Sequence, residues 1–391
     1  MPNVTHDALR RWANACLEAA GARPADARIV ADHLVEANLA AHDSHGVLRV
    51  SQYVAAIQAG EVDVASQPRI VLEMPGGLVV DGARGFGQVV AQLAVQGATQ
   101  KARTTGVAAA TVRTCYHTGR LGSYAEQIAA AGMAGIVMVN AGGGGQTVAP
   151  FGGLARRLAT NPISIATPSG DPFPLVLDIA TSVAPEGKIR ALAQQNRPAP
   201  AGWMIDAAGH PTTNTDDFYQ SPAGALLPLG GPAGYKGFGL GLMIDVLVGA
   251  LSGSGCCRQD VAEARDGMLM IVIDIAQFGM LTAFQDQVRE LIAYVKSSPP
   301  APGFEEILVP GEMEHRQRTD RLENGISIDE SAWQQLVRLG QSLGVSSPAT
   351  LQENSTDNGL KAHSGNGNTH GSRPKEVSVD RRPADVDNTI R

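Results

Sequence analysis

Two hydrophobic rhythms divide this chain. From residue 5 to about residue 60, apolar positions recur every three or four residues, the spacing of one helix face. Thr5 is placed to cap a first helix that runs to Ala20 and stops at Gly21, and Pro24 suits the opening turn of a second. Ile29, Val30, Leu34, Val35 and Leu39 carry the second helix to a break at Asp43-Ser44. From about 70 to 285, short β-branched runs alternate with helical stretches. Strands are predicted over 107–112, 135–140, 162–167, 175–178 and 268–275, and helices over 87–104, 121–131, 187–195 and 236–251. This alternation predicts an α/β fold. A helix over 281–296, a strand-like 307–309 and a last helix over 329–343 follow.

Composition sharpens the picture at the end of the chain. Beyond 346 there is no Phe, Trp or Tyr, and Asn, Ser, Asp, Gly and Arg dominate. Such a segment cannot bury enough apolar surface to offset the entropy of ordering, so 346–391 is read as a disordered tail. The net charge of −7 over 391 residues argues against a general affinity for nucleic acid or for an anionic membrane. No apolar run approaches the roughly 20 residues of a membrane span, and the first residues have no signal-peptide pattern, so a cytoplasmic protein is expected. Cys16, Cys115, Cys256 and Cys257 have neither metal-ligand spacing nor the look of a disulfide framework. His42 and His45 lack a third ligand at suitable spacing, and no metal is expected.

Candidate chemistry concentrates after the Asp43-Ser44 break. With Ser44 as N-cap and a helix from there onward, His45, Arg49 and Tyr53 fall at i, i+4 and i+8 on one face. The guanidinium is suited to grip a carboxylate through two parallel hydrogen bonds, and the imidazole to give or take a proton beside it. Alone, the triplet equally describes a solvated polar face. The usual dinucleotide fingerprint is missing. Gly142–Gly145 leads to Pro150 and not into a helix, and Gly237-Phe238-Gly239-Leu240-Gly241 lies inside a helical pattern.

Further motifs recur in order: Tyr116-His117-Thr118-Gly119-Arg120-Leu121-Gly122, Ala159-Thr160-Asn161-Pro162, Leu177-Asp178-Ile179-Ala180-Thr181-Ser182, and Gly202-Trp203-Met204-Ile205-Asp206. Tyr235-Lys236-Gly237-Phe238-Gly239-Leu240 and Val309-Pro310-Gly311-Glu312 close the series. Together with Asp43-Ser44-His45-Gly46 they resemble the malate/lactate dehydrogenase family of the second, non-Rossmann type, from about residue 5 to 345. Within it, Ala37-Asn38-Leu39-Ala40 and Gly85-Phe86-Gly87-Gln88-Val89 look most like the hydroxycarboxylate dehydrogenase B members.

The resemblance implies a non-Rossmann nicotinamide-cofactor domain over 76–284 and a helical substrate and dimer domain built from both chain ends, 1–75 with 285–345. It implies a homodimer that transfers a hydride between NAD(P)H and a 2-oxo or 2-hydroxy acid, with cyclic imino acids as the alternative substrate class. His45 and His117 match the proton donors or acceptors of different members. Arg49, Tyr53, Asn140, Thr160 and Asn161 are expected on the substrate side. Arg120, Gly122, Asp178, Ala180, Thr181, Ser182, Lys236, Gly311 and Glu312 are expected to bind the cofactor, NAD or NADP. His45 is favoured as donor, with His117 polarising or orienting the substrate.

Overall fold

Thr5 caps the first helix as its position suggests, its hydroxyl accepting the Ala8 N–H at 3.2 Å. The computed structural model describes residues 1–259 and 264–351. A two-residue strand β1 (Asn3–Val4) leads into α1 (His6–Ala19), α2 (Pro24–Leu39, with proline in its first turn) and α3 (Val50–Gln58). Then come β2 (Arg69–Met74), β3 (Gly77–Asp81), α4 (Gly87–Thr105), β4 (Val107–Cys115), α5 (Gly122–Ala130) and β5 (Met133–Gly143). After β6 (Ile163–Thr167), β7 (Leu175–Ile179) and α6 (Glu186–Gln194), a small excursion holds β8 (Met204–Ile205), β9 (Pro211–Thr212), α7 (Asp216–Tyr219) and β10 (Ala225–Leu226). The chain closes with α8 (Tyr235–Ile244, prolonged by a π-turn over Asp245–Ala250), β11 (Ala264–Asp274), α9 (Leu281–Lys296), α10 (Glu312–Asn324), β12 (Ile326–Ser327) and α11 (Glu330–Ser342).

One seven-stranded sheet, in the order β2-β3-β4-β11-β5-β6-β7, organises the middle of the molecule. Only β3 and β4 run parallel; every other neighbouring pair is antiparallel. The late strand β11 returns to the centre, between β4 and β5. Ala91, Ala94 and Ala98 on α4 and Ile128 on α5 pack on Val80, Ala110, Val112 and Val137 of one face, and the small alanines allow close approach. Ile244 and Val248, from α8 and its π-turn, meet Met138 and Leu269 on the other face. A second core joins the two chain ends. Leu9, Trp12, Leu17, Leu34, Val50 and Val54 share it with Ile326, Ile328 and Leu336, and β1 pairs with β12. Among the described residues, no helix is long and apolar enough to cross a membrane.

Several boundaries depart from expectation. Residues 69–74, placed in the helical part, form β2 and pair with β3. Their apolar run does not alternate because the strand is exposed along its whole length. Helix α9 crosses the expected 284/285 boundary, and its Arg289 donates to the Gly170 carbonyl at 3.1 Å. The strand expected over 307–309 is irregular chain, where Val309 N–H goes to the Glu312 carboxylate at 3.2 Å. Gly142 and Gly143 end strand β5, and a Cβ on Gly142 would strike three carbonyl oxygens at 2.8–2.9 Å. Helix α10 had no hydrophobic stripe to announce it: its sequence is mostly charged and its contacts are ion pairs. Of the expected tail, Thr350 bridges to Val4, and 352–391 lie outside the described residues. All four cysteines are free thiols.

Candidate active site

The segment between α2 and α3 is not the continuous helix that its spacing suggested. It is two 3-10 turns, Asp43–His45 and Val47–Arg49, separated by extended Gly46. Asn38 is the reason. Its Oδ1 accepts the Val47 N–H at 2.8 Å and its Nδ2 donates to Asp43 at 2.6 Å. A Cβ on Gly46 would lie 2.3 Å from that amide, so only glycine fits. Ser44 is therefore no N-cap; its hydroxyl lies 3.1 Å from His45 Nδ1. From the far end of the chain, Arg321 on α10 grips Asp43 at 2.7 and 3.1 Å, and Glu314 sits 3.5 Å from His42.

Arg49 is fixed by two of its nitrogens. Nε donates to the Ser44 carbonyl at 2.7 Å and Nη1 to Gln52 at 2.5 Å. Nη2 has no hydrogen-bond partner among the described residues. The first turn of α6 closes over it, since a Cβ on Gly187 would lie 3.4 Å from Nη2. Facing rings complete the cluster: His45 and His117 stack with centroids 5.8 Å apart and planes 19° apart. His117 sits in the loop after β4, and its Nδ1 is 2.8 Å from the hydroxyl of buried Tyr53. Gln88, present in a motif but not expected in the site, donates to that same hydroxyl oxygen at 2.6 Å. The Tyr53 proton is thus directed to Nδ1, which makes His117 a neutral ring with its own proton on Nε2. Burial, then the Arg49 charge, pushes His45 down to about 3 and His117 well below its usual range.

A second cluster gathers three of the expected cofactor residues. Arg120, almost wholly buried, donates to Glu126 at 2.7 Å, and its Nε lies 3.6 Å from Asp178. Asp178 Oδ2 accepts the Gly122 N–H at 2.8 Å, and a Cβ on Gly122 would fall 2.6–2.8 Å from Arg120 and Asp178. Burial holds the Asp178 carboxyl above its usual range despite Arg120. Arg120 Nη1 is buried with no partner. The Arg120 N–H goes to His33 Nε2 at 2.9 Å; His33 was not foreseen, and burial followed by Arg120 pushes it to about 3.

The remaining expectations divide. Thr181 donates to the carbonyls of Thr160 and Asn161 at 2.9 and 3.1 Å, and Asn161 to Gly241 on α8 at 2.9 Å. These contacts seat α8, whose first turn carries exposed Lys236 with no partner among the described residues. Half-buried Ala180 links Asp178 to that seat, and Ser182 is turned to Ala184 at 2.7 Å. Asn140, expected on the substrate side, is buried with both amide hydrogens taken, by Asp245 and the Gly255 carbonyl at 3.0 Å each. Glu312 is likewise spent, on Lys296 at 2.7 Å, Arg316 at 2.6 Å and Val309 N–H. Gly311 keeps its φ of 89°, where a Cβ would strike the Pro174 carbonyl at 2.8 Å.

A groove of about 1,100 Å³ runs past this second cluster, walled by His33, Ser123, Glu126, Phe173, Gly311 and Arg318 among others. His45, His117 and Arg49 do not line it. His33 connects the two regions: it walls the groove, accepts the Arg120 N–H, and if protonated would lower both catalytic-candidate histidines further.

Residues 4–337 match the family model for malate/L-lactate dehydrogenase. Malate dehydrogenase of Pyrococcus horikoshii is 37% identical over 350 residues, 88% of this chain and 96% of that one. Hydroxycarboxylate dehydrogenase B of Escherichia coli K12 is 36% identical over 342 residues, covering 86% and 93%. Among solved structures, the P. horikoshii enzyme superposes with a TM-score of 0.80 at 36% identity, covering 88% and 96%. The Δ1-piperideine-2-carboxylate reductase of Pseudomonas syringae superposes at 0.74 with 27% identity, covering 87% and 100%.

Proposed function

The chain belongs to the malate/L-lactate dehydrogenase family and so to the oxidoreductases acting on 2-hydroxy acids; on that premise we propose that it passes a hydride between NADH or NADPH and C2 of a 2-oxo acid. The observation that carries this reading is the unspent Nη2 of Arg49, held beside two facing, neutral histidines. A carboxylate paired with Arg49 satisfies that nitrogen and fixes the neighbouring C2 carbonyl near the imidazoles, a gain of positioning.

The residues fit a nicotinamide dinucleotide. The groove, about 1,100 Å³, slightly exceeds the roughly 300–1,000 Å³ of small-molecule sites, and Arg120, Lys236 and Asp178–Ser182 stand outside its walls. Arg120 Nη1 is a buried donor without acceptor, and Lys236, without a partner among the described residues, stands in the first turn of a helix. Arg120, Lys236 and the Asp178–Ser182 segment would hold it. When bound, the cofactor supplies or takes the hydride.

Proton handling falls to the histidines, and their partners separate the roles. Protonating His117 at Nδ1 would orphan the buried Tyr53 hydroxyl hydrogen, so His117 is suited to polarise the C2 oxygen through Nε2–H. His45 Nδ1 faces a serine hydroxyl that accepts or donates, so His45 tolerates the imidazolium form and is the donor. A substrate carboxylate on Arg49 removes the second cause of the low His45 pKa. Dimerisation is supported by Leu240, Met243, Val246, Leu247 and Leu251, exposed along α8 and its continuation, within the expected cofactor domain and not the helical one. That unpartnered apolar face suits a second copy of the chain.

The test is a panel of 2-oxo acids and one cyclic imino acid, each with NADH and NADPH, after exhaustive chelation. Turnover of 2-oxo acids supports the reading. Turnover of the imine alone would transfer the site to C=N reduction, and activity restored only by a divalent ion would refute a metal-free mechanism.

A further inference from the structure

The loop that carries His117 is held from below by a carboxylate. Strand β11 has a register shift against β4 between Asp266 and Met268, which sets Asp266 opposite Cys115. From there Asp266 Oδ2 accepts two hydrogen bonds, from the Thr118 N–H at 3.0 Å and from the Thr118 hydroxyl at 3.1 Å. The Tyr124 hydroxyl donates to the Thr118 carbonyl at 2.5 Å. Both backbone groups of the residue after His117 are thus held by side chains from other elements. On its other side, His117 is held by the Tyr53 hydroxyl. Thr118 is buried, so a lost acceptor cannot be replaced by bulk water without opening the loop.

We propose that Asp266 is a positioning residue for the reaction: acting through Thr118, it fixes where His117 presents Nε2 to the substrate oxygen. This rests on the function proposed above. A charged acceptor suits the task, since a carboxylate bonds a backbone N–H and a hydroxyl about twice as strongly as a neutral group does. The Glu126, Asp178 and Glu312 carboxylates are paired with cations, whereas the hydrogen bonds given for the Asp266 side chain among the described residues go to the loop, and the Arg49 charge acts on it from further off. Displacing a polarising group by about 1 Å is enough to cost on the order of 100-fold in rate.

Wild-type turnover of 2-oxo acids is measured first, because its absence would refute the function and not the positioning. With turnover in hand, Asp266→Leu and Thr118→Val should each lower kcat by about 100-fold. Asp266→Asn keeps one acceptor and should lower it by roughly 10-fold. Thr118→Ser should restore kcat to near wild type. NADH affinity, read by quenching of nicotinamide fluorescence, should fall by less than kcat does, although Arg120 follows Thr118 by two residues on the same loop; a loss of affinity larger than the loss of kcat overturns the proposal. The deciding measurement is made in the His117→Gln background, where Asp266→Leu should change the residual rate by less than about twofold. An equal loss in both backgrounds, or an unchanged kcat in the single variants, overturns the proposal. Should Asp266→Leu not fold, the Thr118→Val and Thr118→Ser pair decides alone.

Discussion

The two polar clusters of this molecule treat charge in opposite ways. Around His45, His117 and Arg49, hydrogen bonds orient each group and leave one functional edge unspent: Nη2 of Arg49 and Nε2 of His117. Around Arg120, Asp178 and Glu126, opposite charges are spent mainly on one another, and Glu312 is saturated by Lys296 and Arg316. The first arrangement awaits a ligand's charge. The second shapes the backbone beside the groove and offers a ligand chiefly N–H groups, one buried guanidinium nitrogen and Lys236. A charged motif does not by itself supply available charge, because its partners decide whether that charge is spent.

Perturbing the histidines should break the first cluster most severely. His45→Gln should lower kcat for reduction by about 10²–10⁴-fold and remove the high-pH limb, where loss of the imidazolium proton stops the reaction. His117→Gln should lower kcat while keeping that limb. A pH profile of the two variants checks the assignment, and the reverse pattern would exchange the roles.

Next in size is Arg49→Met. Loss of a charge-assisted hydrogen bond, roughly 1.5–3 kcal/mol, corresponds to about 10–100-fold in kcat/KM. The melting temperature should fall only modestly, since the Ser44 carbonyl and Gln52 lose the bonds from Nε and Nη1, each worth about 1 kcal/mol. An unaltered kcat/KM would mean that another cation takes the carboxylate.

Asp178→Asn sharpens the contrast from the other side. The amide oxygen still accepts the Gly122 N–H, but the charge facing Arg120 is gone. We expect weaker cofactor binding, by roughly 3–30-fold, with kcat at saturating cofactor nearly unchanged. A kcat effect larger than the binding effect would place Asp178 in the chemistry.

The smallest expected effect is on stability against pH. Folded His33 and His45 titrate at about 3, below the ordinary 6.5, so below pH 6.5 the unfolded chain takes up protons that the fold refuses. Their contribution is whole above pH 6.5 and is lost as pH falls. Asp266 acts in the opposite direction: held at about 6 against 3.8, it binds its proton earlier in the fold and offsets one histidine between those values. The melting temperature should fall from pH 7 to 4.5, at about 1.4 kcal/mol per pH unit for each net proton. His33→Gln should flatten that slope and Asp266→Asn should steepen it. Parallel curves for all three proteins would refute the accounting.

Which parts were legible follows from where the signal resides. Helix α9 was readable to the residue, because an amphipathic stripe and the following Ser-Ser-Pro-Pro define its ends. Helix α10 was invisible for the converse reason: its partners are carboxylates, a lysine and a histidine on other segments, and ion pairing leaves no periodic apolar trace. At the site, residue types could be read but not their commitments. Tyr53 stood among the expected substrate contacts, yet its hydroxyl is bound between Gln88 and His117. The His45 segment kept its residues and lost its helix, since one asparagine eight residues before Gly46 takes the N–H that the helix needed.

The clasp of Arg321 on Asp43 spans 278 residues. On the ribosome, the His45 segment leaves the exit tunnel long before its clamp has been translated, and the central strand β11 also arrives late. Residues already outside must wait for most of the polypeptide before they reach catalytic geometry, so assembly is coupled to completion of synthesis. A nascent chain released before α10 would carry both histidines and the arginine, and no fixed relation among them.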